Sequence, residues 1–314
     1  MQRIVISENM DAPAVALLAR EFEVDYRPAL TDDVAGLSKA LAGAEAWIVR
    51  NRTQVRGAAL EAASRLRVVG RLGVGLDNID LAACSARSIE VIPATGANAE
   101  SVAEYVLAMA MILLRGAAYL STAEVAAGRW PRQVLSQGRE VGGKTLGLVG
   151  FGSIGRATAR KAAALGMSVI AFDPGVPADA PAWREHGVEP CALDSLLERS
   201  DVVSLHLPLV EATRGLLGAE RLARMKAGAV LVNSARGGVV DEAALARALR
   251  DGQLAGAALD VFDREPLAAG SALADAPNVI LTPHIAGVTL ESNERVSGLV
   301  AGRVADFLRG AARA

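Results

Sequence analysis

Cysteine, histidine, long apolar runs and charge of one sign are all scarce in this 314-residue chain. Two cysteines, Cys84 and Cys191, are too few and too far apart for a disulfide framework or a cysteine-rich zinc site, so a reduced, cytoplasmic setting is expected. Three histidines, none belonging to an H-x-x-x-H pair, offer no convergent ligand set, and no metal is expected. The 33 Lys and Arg against 35 Asp and Glu leave a net charge of -2, with no basic surplus to attract nucleic-acid phosphates or an anionic membrane. No run approaches ~18 uninterrupted apolar residues, and the opening "MQRIVISENM" reads as a short strand, so neither a signal peptide nor a membrane span is expected. A globular balance remains, 52% hydrophobic and 22% charged, and it points to a small-molecule partner and two domains.

Short β-branched runs alternate with Ala/Leu-rich helical stretches along the chain. "RIVIS", "AWIVR", "LRVVG" and "IEVI" come first, then "TLGLVG", "SVIAFD", "DVVSLHLP", "AVLVNSA", "GAALDVF" and "NVILTP". Such alternation predicts parallel sheets covered on both faces, built twice over. The run 101–115 is apolar nearly all the way round and must be buried on several sides, which puts a boundary near Asn98. The predicted domains are 1–98 plus 286–314, with the last helix returning to the first domain, and 99–285.

The stretch "TLGLVGFGSIGRATARKAAALGMSVIAFDP" holds Gly150, Gly152 and Gly155 as G-x-G-x-x-G between an apolar strand and a helical run, and a second strand then ends in Asp173. Dinucleotide binding needs those parts: a tight turn, a bare backbone beside the pyrophosphate, a helix N-terminus and a carboxylate for the ribose hydroxyls. Asp173 would repel a 2′-phosphate, so NAD is favoured over NADP; its plainer reading is a turn residue before Pro174. A second turn, "GRLGVGLDNID", lacks that spacing; its amides form either an anion nest suited to a carboxylate or a purely structural turn.

Three polar residues fall at predicted strand ends of the second domain: Arg236, Glu265 and His284. Hydride exchange with a hydroxy acid needs a base for the hydroxyl proton, a cation for the carboxylate and a group that sets the base's protonation. Imidazole, guanidinium and carboxylate are that set. Singly, each has a plainer reading as a solvated arginine, a loop charge and a packed histidine; their joint placement after the glycine loop favours chemistry. The apolar neighbours of His284 read as support that fixes the ring and limits water. His186 sits in a polar stretch, and His206 ends a strand with no carboxylate close in sequence.

With "GVGLDNID", "NAESVAEYVLAMAM", "GKTLGLVGFGSIGR", "LHLPLVEATRGLL", "MKAGAVLVNSARGGVVDEAAL", "GAALDVFDREPL" and "NVILTPHIAGVT" in place, the chain resembles the D-isomer-specific 2-hydroxyacid dehydrogenases over essentially its whole length. The resemblance implies two doubly wound α/β domains, a Rossmann NAD-binding domain and a flavodoxin-like substrate domain, with a cleft between them. It implies an NAD-dependent interconversion of a 2-hydroxy acid and its 2-keto acid. His284 would be the general acid/base, Glu265 its partner and Arg236 the carboxylate anchor. Gly73, Val74 and Gly75 would hold the same carboxylate. The cofactor would meet Gly150, Gly152, Ser153, Ile154, Gly155, Asp173, His206, Pro208, Thr213, Ser234, Ala235, Asp260, His284 and Gly287. A homodimer formed through the cofactor domain is implied too, giving a partner to the apolar helix.

Long phosphoglycerate dehydrogenases carry a C-terminal regulatory domain, and feedback through one is not expected here. "VRNRTQV" brings Arg50 and Arg52 to a strand end where family members approach substrate, which suggests a second anionic group such as phosphate, carboxylate or sulfonate; either arginine facing water is the alternative. "HIAGVTLESNERVS" is similar to (S)-sulfolactate dehydrogenases, while 3-phosphoglycerate, and glycerate, hydroxypyruvate or glyoxylate as in reductases of the family, are the other candidates. Formate dehydrogenases have glutamine where Glu265 stands and are disfavoured. A non-catalytic NAD-sensing protein, like the family's corepressors, shares the motifs; the lack of extended disordered tails weighs against it.

Overall fold

β-Branched residues and leucines that alternate between two buried directions are what a strand covered on both faces requires, and β1 (Arg3–Ile6) shows it: Ile4 and Ile6 pack on one side of a sheet, Val5 on the other. The structure, a computed structural model, describes residues 1–116 and 121–311. The last three residues, expected with the first domain, lie outside the described ones. The chain divides into two units, 1–98 with 288–314, and 99–287. The return to the first unit comes two residues later than the sequence pattern suggested. Ala286 belongs to the second unit's core, and the amides of Ile285 and Ala286 are bound by Asp260 of that unit.

The first unit is a five-stranded parallel sheet of β1, β2 (Glu23–Tyr26), β3 (Ala46–Val49), β4 (Val68–Arg71) and β5 (Glu90–Pro93), in the order β2-β1-β3-β4-β5. This is the flavodoxin-type order, with the direction of winding reversing between β1 and β3. The C-terminal helix, Leu290–Ala311, lays Val296, Val300, Val304 and Leu308 on one face of the sheet with Leu18 and Ile48. Trp47, Leu60 and Val69 fill the other face.

The second unit is a seven-stranded parallel sheet: β6 (Thr145–Val149), β7 (Ser168–Phe172), β8 (Glu189–Pro190), β9 (Val202–Leu205), β10 (Ala229–Asn233), β11 (Leu254–Leu259) and β12 (Val279–Leu281). Its order is β12-β11-β10-β9-β6-β7-β8, the Rossmann winding with the switch between β6 and β9. Helix Ala99–Leu114 packs Val102, Val106, Ala110 and Leu113 against β10, β11 and the helix Ser153–Ala164. Glu104 and Met111 of that helix are exposed, so it is covered on part of its circumference. Among the described residues no helix is long and apolar enough to cross a membrane.

Candidate active site

The glycine loop lies at the β6/β9 switch point, where α/β sheets open a crevice beyond their carboxyl ends. Gly150 has φ +106°, a conformation closed to most side chains, and a Cβ on it would meet the His206 carbonyl oxygen at 2.3 Å. A Cβ on Gly155 would meet the Gly150 carbonyl oxygen at 2.4 Å. Gly152 faces open space, and as N-cap of helix Ser153–Ala164 it supplies no side chain to that helix's first amides. Bare backbone and uncapped amides together form an anion cradle. Asp173 stands across it at the end of β7, with Oδ2 accepting from the Phe151 amide at 2.7 Å and Oδ1 from the Gly175 amide at 2.8 Å. The turn-residue reading of Asp173 and its reading as a ribose partner are thus compatible, since the turn holds the carboxylate beside the cradle. Ser234 Oγ is buried without a hydrogen-bond partner among the described residues, as a residue facing a bound polar group would be. These features fit a dinucleotide. The Thr213 hydroxyl is engaged locally, donating to the Pro208 carbonyl at 2.7 Å and accepting from the Val210 amide at 2.8 Å, which fixes the 208–213 turn.

His206 lies just beyond β9, its Nε2 3.0 Å from Ser204 Oγ. Desolvation pushes its pKa from 6.5 down to about 4, so it stays neutral where an acid/base imidazole must titrate. The unfolded chain binds that proton first as pH falls. His206 therefore contributes stability that is complete above about pH 6.5 and is lost between there and pH 4. Denaturant titrations should show a fall of up to about 3 kcal/mol over that window, from the 1.36 kcal/mol that each pKa unit represents. His206→Gln should flatten that part of the slope; an unchanged slope refutes the assignment. His186, expected in a polar loop, is instead half-buried edge-on to Phe151, which stacks on Trp183.

β10, β11 and β12 are neighbours, and each delivers one of the three candidate reacting groups past its carboxyl end. After β10, buried Asn233 shapes the turn: its Oδ1 accepts from the Ala235 amide at 3.1 Å, and its Nδ2 donates to the Arg236 carbonyl at 3.0 Å. A Cβ at Gly237 would sit 1.8 Å from the Phe262 carbonyl oxygen, and the Gly238 amide donates to Asp263 at 2.6 Å. Glycine at 237 thus lets the Arg236 turn press against the loop after β11. In that loop Glu265 Oε1 accepts from the Phe262 amide at 3.2 Å, while Oε2 lies 2.8 Å from Nδ1 of His284. The structure therefore joins Glu265 to His284 and brings the Arg236 turn against the Glu265 loop.

His284 has φ +57°, a left-handed conformation that costs a non-glycine residue about 1 kcal/mol. Asp260, 1% exposed, holds this conformation in place. Its carboxylate accepts from the Thr282 hydroxyl at 2.6 Å and from the amides of Ile285 and Ala286 at 2.8 and 2.7 Å. Thr282 in turn meets the hydroxyl of Tyr105 at 2.7 Å, and burial pushes the Tyr105 pKa up to about 12. The His284 side chain is 46% exposed and Ile285 and Val288 are equally open, so the ring is fixed by Glu265 and Asp260 rather than by an apolar jacket. The supporting parts of Tyr105, Thr282 and Asn233 were invisible in the sequence, because they act through contacts between distant segments.

In the first unit, Gly73 opens the 73–75 turn immediately after β4 with φ +154°. A Cβ there would meet the Arg71 guanidinium at 1.7 Å, so a third arginine, which sequence reasoning missed, borders this turn. The Arg50 guanidinium donates to Asn293 of the C-terminal helix at 2.6 Å, a neutral partner. Arg52 pairs with the Asp32 carboxylate, both side chains exposed.

The family described as D-isomer specific 2-hydroxyacid dehydrogenase, NAD binding domain, matches residues 107–286. An (S)-sulfolactate dehydrogenase of Chromohalobacter salexigens is 56% identical over 97% of both chains. A chloroplastic D-3-phosphoglycerate dehydrogenase of Arabidopsis thaliana is 41% identical over 98% of this chain, which spans 49% of that longer protein. A D-lactate dehydrogenase of Aquifex aeolicus, solved with NAD and lactic acid, superposes with a TM-score of 0.84 at 31% identity, covering 98% of this chain and 96% of its own. With an NAD cradle on one sheet and a histidine–glutamate pair on neighbouring strand ends, the chain belongs to the D-isomer-specific 2-hydroxyacid dehydrogenase family, and is an NAD-dependent oxidoreductase that interconverts 2-hydroxy and 2-keto acids.

Proposed function

We propose that His284 is the general acid/base, that Glu265 orients it, that Arg236 binds the substrate carboxylate, and that the substrate carries a second anionic group read by Arg50. The observation that carries this reading is the 2.8 Å contact of His284 Nδ1 with Glu265 Oε2. A carboxylate only accepts, so Nδ1 donates to it and Nε2 presents its lone pair to the hydroxyl proton. NAD supplies the hydride acceptor. Nε2 takes the hydroxyl proton in oxidation and returns it to the keto oxygen in reduction. Arg236 and the amides of Gly73, Val74 and Gly75 are assigned to the carboxylate, with two-pronged donation from the guanidinium.

Sulfolactate is the substrate we favour, on the 56% identity to an enzyme of that name; 3-phosphoglycerate is the second choice. Arg50 is the stronger anion ligand because its partner is neutral, whereas Arg52 already pairs with Asp32. Arg50→Met should raise KM for sulfolactate or 3-phosphoglycerate about a hundredfold, the worth of a charge-assisted hydrogen bond pair. KM for lactate should stay within about twofold. Equal effects on both substrate classes would remove the second-anion reading.

The cofactor contacts proposed are Gly150, Gly152, Ser153, Ile154, Gly155, Asp173, Ser234 and Asp260, with His206, Pro208, Thr213, Ala235 and Gly287 around them. A homodimer through the second unit is also proposed. The large apolar residues Met111, Val125, Trp130 and Val134 stand exposed there, Trp130 and Val134 at 76%. Two free cysteines and an NAD-dependent reaction favour the cytoplasm.

A further inference from the structure

We propose that Glu8 is a positioning residue that sets affinity for the substrate's second anionic group by holding the 50–53 loop in its binding shape, an inference that rests on the reading of Arg50 given above. Glu8 is a carboxylate only 5% exposed, just past β1, and the loop lies just past β3. Those strands flank the switch point of the first sheet, where ligands of this winding bind. Four consecutive amides converge on Glu8. Oε1 accepts from Arg50 at 2.7 Å and Thr53 at 3.0 Å, and Oε2 from Arg52 at 3.1 Å and Asn51 at 3.3 Å.

The carbonyl side of the loop is held as firmly. Asn78, also 5% exposed, donates through Nδ2 to the carbonyls of Thr53 at 2.7 Å and Arg50 at 3.3 Å, and its own carbonyl accepts from the Val55 amide at 2.8 Å. Asn78 belongs to the "GVGLDNID" stretch, so the loop is tied to the segment that continues the 73–75 turn.

Two consequences follow. The loop is an amide nest of the kind that binds anions, but its own glutamate already occupies it, so the amides are closed to substrate and recognition is left to side chains, above all Arg50. The charge of Glu8 by itself opposes an incoming anion, so a geometric role and an electrostatic role predict KM changes of opposite sign.

The test is Glu8→Gln, which keeps the shape, removes the charge and turns an N–H₂ toward two amide donors. Initial rates with NAD on sulfolactate, 3-phosphoglycerate and lactate are measured beside a thermal melt. KM for the doubly anionic acids should rise at least about tenfold, with kcat and the lactate KM within about twofold. Glu8→Asp, which keeps both oxygens, should fall between, and it carries the test if Glu8→Gln does not fold. A lower KM, or a lower melting temperature with every KM unchanged, overturns the proposal. Arg50→Met run in parallel separates the two failures. If it leaves discrimination intact, the second-anion reading is wrong; if it abolishes discrimination while the Glu8 variants do not, only the role of Glu8 is wrong.

Discussion

His284→Ala is expected to lose turnover by about 10²- to 10⁴-fold while NADH affinity, read by titration of cofactor fluorescence, stays within about twofold. The size of the loss follows from what the ring does at this position. Its Nδ1 is 2.8 Å from Glu265, its backbone is left-handed at φ +57°, and its side chain is 46% exposed. A packed histidine would be neither strained nor open, and its removal would lower stability more than rate. Here the substitution removes no core volume, so the melting temperature should hardly move while the rate collapses. Glu265→Gln, which keeps an oxygen acceptor but not the charge, should lie between wild type and His284→Ala. Turnover within a few-fold of wild type in His284→Ala would overturn the assignment of the proton.

Asp260→Ala should have the largest effect on stability of any single change at the site. Three donors converge on this carboxylate, one hydroxyl and two backbone amides. Alanine leaves the Ile285 and Ala286 amides without their acceptor, at about 1–3 kcal/mol for each that stays buried, and turns the Thr282 hydroxyl back on Tyr105 alone. Removing the charge also relieves its desolvation, which acts in the opposite direction. With three donors on one carboxylate, the lost acceptor outweighs that relief. A net loss on the order of 3 kcal/mol, or a melting temperature lower by roughly 5–10 °C, is expected for a unit of this size. The rate should fall as well, because these bonds offset the strain at His284 and aim the ring at Glu265. Asp260→Asn, with one acceptor left, should lose less of both. A melting temperature and a rate both equal to wild type would show that the loop is held by other means.

The parts of the site that were legible in the sequence are those where one residue type at one spacing has a chemical reason. Gly150, Gly152 and Gly155 between a strand and a helix stated their purpose, and the structure gives each a distinct one: an inverted φ, an open face and a contact on the loop backbone. Arg236, Glu265 and His284 were legible as strand-end polar residues, and β10, β11 and β12 prove adjacent. What the sequence hid are contacts between segments far apart in the chain. Asp260 read as a cofactor residue, yet within the chain its carboxylate binds the amides that follow His284. Glu8 has no local signature in the sequence, because its carboxylate is buried against four amides more than forty residues away. Arg50 and Arg52 looked equivalent until their partners, neutral Asn293 and charged Asp32, separated them.

The proposed reaction is NAD-dependent oxidation of a 2-hydroxy acid that carries a second negative group. The most direct measurement is the initial rate of NADH formation by the purified protein on sulfolactate, 3-phosphoglycerate, malate, glycerate and lactate. The expected kcat/KM for a doubly anionic acid, sulfolactate first, is at least about a hundredfold above that for lactate, equivalent to roughly 2.7 kcal/mol of transition-state binding. Equal rates on lactate and the doubly anionic acids, or no NADH from any of them, would contradict it.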